Sequence, residues 1–476
     1  MKTENKNFLL NIIYQVLIYL FPLITTPYIS RVLKVDNIGI YSYTYSIVNI
    51  FMLFAMLGIN NYGNRAVAKV RDDKEKLSLT FFSIYFLQLF LAILSIIVYL
   101  ILVFFVFNRE YRIIFLIQGI ALLSVAFDIN WFYFGLEKFK ITISRNLVIK
   151  LLSVILIFIF VKNENDLWKY TLIMTTAILS SQFFLVVLLK KFVVIKKIPL
   201  KIIFSHFKGC FILFIPVLAY AIYRVMDKIM IGYISSTTEL GYYENAEKII
   251  NIPIAIITAL GTVMLPRMSY LLTKGSKDDF KIKINESMKL ALSLSTIMAF
   301  GIIIIADEAS LILFGEEFIK SSNIMRFLSL TIIASAWANV IRTQYLIPRN
   351  KDKIYLISTF GGAVINLICN FIFIKPFGSY GACIGTIAAE FFVAIYQGLA
   401  VRKELDIKKY SYFLLKNIII NGIITLLAYL FAFKISNLYI RFFVMILISI
   451  ILYVILNYRL IFNEFFGIRK RSKNNE

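Results

Sequence analysis

The chain has 476 residues, of which 60% are hydrophobic and only 16% charged. Lys and Arg number 51 against 27 Asp and Glu, a formal net charge of +24. In a soluble chain that excess would point to nucleic acid, but no stretch between the apolar segments is long enough to fold as a soluble domain, which excludes that class.

A hydrocarbon core about 30 Å thick is crossed by about 20 apolar residues in a helix. Segments of that kind are predicted at 8–30, 38–62, 78–107, 113–134, 142–161, 170–189 and 209–233. They continue at 241–265, 284–306, 324–347, 354–374, 378–401, 412–433 and 438–462. The fold class is therefore an all-α membrane protein with about fourteen transmembrane helices. The first segment is too long for the h-region of a signal peptide, holds Pro22 and Pro27, and lacks a small-residue cleavage site, so it reads as a retained helix.

With these spans, 34 of the Lys and Arg residues fall on the loops of one side and about 10 on the other. The positive-inside rule then puts both termini in the cytoplasm, in agreement with an even number of spans. The three cysteines, Cys210, Cys369 and Cys383, have no paired spacing, so neither a disulfide framework nor a zinc site is expected. The only histidine, His206, sits in a basic loop, where a catalytic or metal role has little support.

An internal repeat runs through the chain. At a shift of 202, Gly39 falls on Gly241, Tyr41 on Tyr243 and Arg65 on Arg267. At a shift of 213, residues 141–161 lie on 354–374. Spans 1–6 and 7–12 then form two six-helix lobes of the same membrane orientation, with a substrate path between them. The domain boundaries follow: 1–208 for the N-terminal lobe, 209–403 for the C-terminal lobe, and 404–476 for spans 13 and 14 with a cytoplasmic tail.

Ionisable residues inside spans cost about 2.5–3.5 kcal/mol each on insertion scales, so those that persist face a cavity or a partner. Span 7 carries Arg224, Asp227 and Lys228 at i, i+3 and i+4, one helix face, flanked by Tyr220 and Tyr223. Two readings stay open and are compatible: Asp227 staples two helices, or the cluster lines a hydrated cavity where one net positive charge attracts an anion. Lys150 in span 5, Arg342 and Gln344 in span 10, Asp128 in span 4 and Glu390 in span 12 divide between cavity lining and helix-to-helix hydrogen bonding. Gly381, Gly385 and Ala389 give span 12 a close-packing face. No P-loop or filter-like glycine run is present in the sequence, and no long extracytoplasmic loop offers paired carboxylates as an obvious catalytic site, so a transporter is expected rather than an ATP-driven pump, a channel or an enzyme.

The stretch Thr26-Pro27-Tyr28-Ile29-Ser30-Arg31-Val32-Leu33, then Gly39-Ile40-Tyr41, Gly58-Ile59 and Tyr62-Gly63, resembles the start of the Wzx-type polysaccharide repeat-unit flippases, a branch of the multidrug/oligosaccharidyl-lipid/polysaccharide exporter superfamily. Asp227-Lys228-Ile229-Met230-Ile231-Gly232, followed by Leu240-Gly241-Tyr242-Tyr243 and Ala246, is similar to that family's span 7 to 8 segment. The resemblance implies two six-helix lobes around a central cavity plus two C-terminal helices, working by alternating access. It implies undecaprenyl-diphosphate-linked oligosaccharide as substrate, moved to the outer leaflet of a bacterial cytoplasmic membrane for O-antigen, capsule or exopolysaccharide, alongside a polysaccharide polymerase and glycosyltransferases. It implies a cationic cavity, for which Arg224, Lys228, Arg342 and Lys150 are the candidates, with Tyr220 and Gln344 beside them. Asp128, Asp227 and Glu390 depart from a purely cationic cavity; coupling to H+ or Na+ is the role this leaves them, and no other cofactor is expected. Alternatives are a cation-coupled exporter of small molecules or drugs on the same fold, and a flippase for a teichoic-acid or peptidoglycan lipid precursor.

Overall fold

The computed structural model describes residues 2–194, 198–275 and 277–456. Side chains are described from residue 24 onward, except at Phe139, Pro216, Ala219, Tyr220, Ile222, Tyr223, Lys274 and Lys277. All regular structure among the described residues is helical. Twelve helices there are long and apolar enough to cross a membrane. Most of the first predicted span, 8–30, has side chains outside the described residues, and several interior side chains of the seventh are outside them too. The chain divides into two compact units, Met1–Gly241 and Tyr242–Glu476.

The first unit opens with α1 (Lys2–Met56), which absorbs the first predicted span and the second as far as Met56. The expected loop near 31–37 is instead a single interruption at Lys34, with φ 67° and ψ 172°. A non-glycine residue there is strained by about 1–3 kcal/mol, and polar contacts hold the neighbouring turns. Tyr28 donates to the Val161 carbonyl at 2.6 Å. Asn37 donates to the Glu164 carbonyl at 2.8 Å, and Asp36 accepts from Thr237 and Thr238 at 2.5 and 3.1 Å. Gly58, at φ 75°, then separates α1 from α2 (Ile59–Ala68). It also admits the backbone of residue 210, since a Cβ there would lie 2.6 Å from the Cys210 carbonyl oxygen.

Next come α3 (Lys74–Phe105) and the fourth predicted span, which is broken into α4 (Arg112–Ser124) and α5 (Asn130–Gly135). The unit continues with α6 (Phe139–Phe160), α7 (Leu167–Leu189), α8 (Leu200–Ser205) and α9 (Phe207–Ile234). Helix α9, read from the sequence as the first helix of the second lobe, packs on α1 and α2. The division between units falls inside α10 (Thr237–Lys274), just after Gly241. Within the first unit the repeat-related glycines meet: a Cβ on Gly39 would collide with the Thr237 carbonyl oxygen and lie 3.1 Å from the Gly241 nitrogen.

The second unit holds the rest of α10, then α11 (Lys277–Leu313), α12 (Ile319–Ile341), a π-helical turn at Arg342–Leu346, and α13 (Asp352–Phe377). It closes with α14 (Ser379–Val401), α15 (Ile407–Ala432) and α16 (Leu438–Leu456). Helices α13 and α14 form a tight hairpin at Gly378, and the small residues expected to pack closely do so: Gly381 lies under the Phe373 backbone and Gly385 under Asn370. Helices α15 and α16 pack on α11. There Arg441 pairs with the nearly buried Glu308 at 2.7 Å.

Candidate functional site

In the first unit the charged face of α9 forms as expected from its spacing. Asp227 is 4% exposed, while Arg224 and Lys228 are half-buried. The Lys228 ammonium acts electrostatically on Tyr45 of α1. Tyr45 stacks in parallel on Tyr41, centroids 5.8 Å apart, and Tyr170 of α7 leans on Tyr41 at 4.8 Å. Lys228 and a partly exposed aromatic ladder therefore belong to one unit, within electrostatic reach of each other. Tyr170 escaped the sequence reading because a tyrosine near a helix end has many ordinary reasons to be there. The side chain of Tyr220 lies outside the described residues. Lys150 is half-buried on α6.

Asp128 sits elsewhere, at the break in the fourth span. Its Oδ1 accepts from the Asn130 backbone N–H at 3.1 Å and from Asn130 Nδ2 at 2.6 Å, a local turn that competes with the helix. Gln88 of α3 reaches the carbonyls at the break: its Nε2 donates to Val125, which also accepts the Asp128 N–H, at 2.6 Å and to Asp128 at 2.9 Å. Gln88 Oε1 accepts from the buried Trp131 indole at 2.9 Å. Arg145, tallied from the sequence with the loop charges, is a buried member of α6 at 5% exposure. It donates to Asn130 Oδ1 at 3.1 Å and Asn146 Oδ1 at 2.7 Å, while Gln182 accepts from Asn130 at 3.0 Å. This connected network closes a helix break at membrane depth, where irregular backbone is tolerated only if its polar groups find partners inside the protein. The signal in the sequence was the recurrence of Gln88, Asn130, Asn146 and Gln182 in otherwise apolar segments.

In the second unit, Glu390 of α14 accepts from Ser335 of α12 at 2.7 Å. Arg342 lies over the Tyr355 ring at 5.7 Å. Gln344, two residues on in the π turn, is fully buried, and neither its amide oxygen nor its amide nitrogen has a hydrogen-bond partner among the described residues. Burying an unpaired polar group costs about 1–3 kcal/mol, and π turns are frequent at functional sites. Just beyond, Glu404 gathers Tyr345, Arg349 and Lys351: the Tyr345 hydroxyl donates to it, and the two cations pair with it at 2.7 and 2.5 Å. Hydrogen bonds from Lys351 and Tyr345 hold the Glu404 carboxyl below the usual carboxylate range. An apolar groove of about 270 Å3 runs between α12, α14 and α15, lined by Trp337, Phe391, Ile395, Leu399 and Leu414 among others. No group of three or more His, Cys, Asp or Glu side chains is placed to hold a metal among the described residues.

Residues 5–272 match the family described as polysaccharide biosynthesis protein, more than half of the chain. The chain belongs to that family. A second match, to the MatE family, covers residues 213–372. The chain is similar to a putative O-antigen transporter of Shigella dysenteriae, 24% identical over 83% of this chain and 100% of the relative. It is also similar to a putative O-antigen transporter of Escherichia coli (strain K12), 23% identical over 85% of this chain and 99% of the relative. Among solved structures, the lipid II flippase MurJ in an inward closed conformation superposes with a TM-score of 0.73 at 17% identity, over 95% of this chain and 100% of the other. The expected fold class and family resemblance therefore hold. This polysaccharide biosynthesis protein is a multi-pass membrane protein of the flippase fold, a transport protein rather than an enzyme.

Proposed function

We propose that the protein flips undecaprenyl-diphosphate-linked oligosaccharide repeat units from the inner to the outer leaflet by alternating access, for assembly of a surface polysaccharide. The observation that carries this reading is the cationic face of α9, next to stacked tyrosines, in a member of the polysaccharide biosynthesis family. A diphosphate carries about two negative charges and is costly in hydrocarbon; Arg and Lys in a hydrated path offset that cost, with Arg able to grip two oxygens at once. Tyr41 and Tyr45 offer faces for sugar rings, and the lipid chain stays in the bilayer. Arg342 and Lys150 are further cation candidates. For coupling to H+ or Na+ we favour Asp227 over Asp128 and Glu390. Asp227 shares a face with Arg224 and Lys228, so neutralising it raises the local charge from one positive to two. The same reading places the protein in a bacterial cytoplasmic membrane with both termini inside, working beside glycosyltransferases and a polysaccharide polymerase.

The test is extraction of lipid-linked oligosaccharides from cells with and without the protein, with sidedness scored by a non-permeant glycosidase or lectin. Accumulation of a complete repeat unit shielded on the cytoplasmic side is expected on deletion. Accumulation of a peptidoglycan or teichoic-acid precursor would move the assignment to that cargo. Unchanged lipid intermediates with unchanged surface polysaccharide would overturn the reading in favour of a small-molecule exporter.

A further inference from the structure

Gln344 is the outlier of the second unit. Its side chain is fully buried, yet both of its polar atoms lack partners among the described residues. Thr343 beside it donates to the Asn339 carbonyl at 2.7 Å and Tyr345 donates to Glu404, and where Asn339 Oδ1 and Arg349 Nε nearby are also without partners among the described residues, only one atom of each side chain is affected. The backbone under Gln344 is also irregular. The Ile347 N–H reaches the Arg342 carbonyl at 3.0 Å, a π-type step, and Lys351 reaches Leu346 with the same spacing at 2.9 Å. Asn350, at φ 55°, ends the turn. A π turn holds one more residue than an α turn. Rewinding it into α geometry therefore rotates the side chains at and beyond it by about 100°, the angle of one residue in an α-helix.

We propose that the Arg342–Leu346 turn is a two-state element. The π form stores the Gln344 amide out of reach, and the α form delivers it to a partner that both donates and accepts hydrogen bonds. The free oxygen and free nitrogen set that partner's chemistry. A phosphate satisfies only the amide N–H groups and a metal cation only the oxygen, whereas a sugar hydroxyl serves both. On the cargo reading above, on which this identification rests, the partner is the glycan. Glu404 is the latch of the π form: it binds Tyr345 inside the turn and both Arg349 and Lys351 beyond it, and Arg349 is further braced over the Tyr345 ring at 4.6 Å and the Phe280 ring at 5.2 Å. The rotation must break at least the Tyr345 contact.

The test uses the full chain in proteoliposomes, with Cys210, Cys369 and Cys383 replaced. The Leu346→Cys variant, which reports on the same turn and keeps Gln344, is treated with a maleimide, and Ile341→Cys, equally buried but before the turn, is the control. Labelling at position 346 should rise several-fold with lipid-linked glycan extracted from the producing cells and stay flat with undecaprenyl diphosphate lacking sugar. Glu404→Gln should raise it without any cargo, and adding Gln344→Met should abolish the response to the glycan lipid. A rise with Glu404→Gln but none with the glycan lipid would overturn the glycan as partner while leaving the two-state turn standing. No labelling at position 346 under any of these conditions would overturn the turn itself. Gln344→Met gives a readout independent of labelling. It removes the unpaired amide at similar volume, so the thermal midpoint should rise by a few degrees while transport falls at least tenfold. A fall in midpoint, or unchanged transport, would show Gln344 to be an ordinary core residue.

Discussion

The α9 triad separates two roles. Arg224 and Lys228 are half-buried and Asp227 nearly fully buried; on the proposed function the two cations meet the diphosphate and Asp227 carries the coupling ion. Arg224→Ala and Lys228→Ala should each cut transport about tenfold or more with normal protein in the membrane, checked by lipid-intermediate accumulation alongside immunoblots. Asp227→Ala removes the only carboxylate of that face at its most buried position, so it should lower the amount of folded protein as well. At the opposite extreme, His206 is a structural pin. Its Nδ1 and Nε2 lie 2.8 and 2.9 Å from the Tyr62 hydroxyl and Ser83 Oγ, and burial pushes the imidazole below its ordinary value. A base whose folded value is depressed contributes stability that is fully present above the unfolded value, about 6.5, and lost as pH falls below it. The thermal midpoint in detergent should therefore fall between pH 7.5 and 5.5, and His206→Phe should remove that part of the slope.

Helical period and apolar length made the elements legible, but not their interruptions. The sequence showed about fourteen spans and their order. It did not show that Lys34 would serve as a one-residue break in place of a loop, or that the fourth span would split at Asp128. Hydropathy averages over such breaks, because the residues that close them, such as Gln88 and Arg145, sit on other helices and leave only isolated polar letters. The α9 cluster was readable because its spacing is local; the burial of Gln344 was not, because it depends on what packs around the π turn. The fourth-span break gives an element-scale prediction. Gln88→Leu strips the Asp128 carbonyl and the Trp131 indole of their Gln88 partner and takes one of two donors from the Val125 carbonyl, which keeps the Asp128 N–H. At about 1–3 kcal/mol per buried group, less what water recovers, the midpoint in detergent should drop by several degrees, whereas Gln88→Glu, which keeps only the acceptor, should be at least as damaging.

At the scale of the whole molecule, contacts between loops test the segmentation independently of hydropathy. Alternation requires that loops assigned to one side meet only loops of that side. Within the first unit, Arg71 pairs with Glu137 at 2.6 Å, Ser78 accepts from the Val194 N–H at 3.1 Å, and His206 meets Tyr62 and Ser83, all on the basic side. Asn37 with Glu164, and Asp36 with Thr237, join loops of the other side. Within the second unit, Arg349 and Lys351 meet Glu404 on the basic side, while Arg326 meets Asp307 at 2.6 Å and Arg441 meets Glu308 on the other. One missed span would have mixed these partners. The contacts define two sides but not which of them faces the cell interior; on the positive-inside rule we propose that it is the side with 34 Lys and Arg against about 10. In cells whose native cysteines are replaced, a membrane-impermeant maleimide should therefore label Glu110→Cys from outside and leave Asp72→Cys unlabelled until the membrane is opened. The reverse pattern would invert the topology, and with it the direction of transport, while leaving the fold untouched.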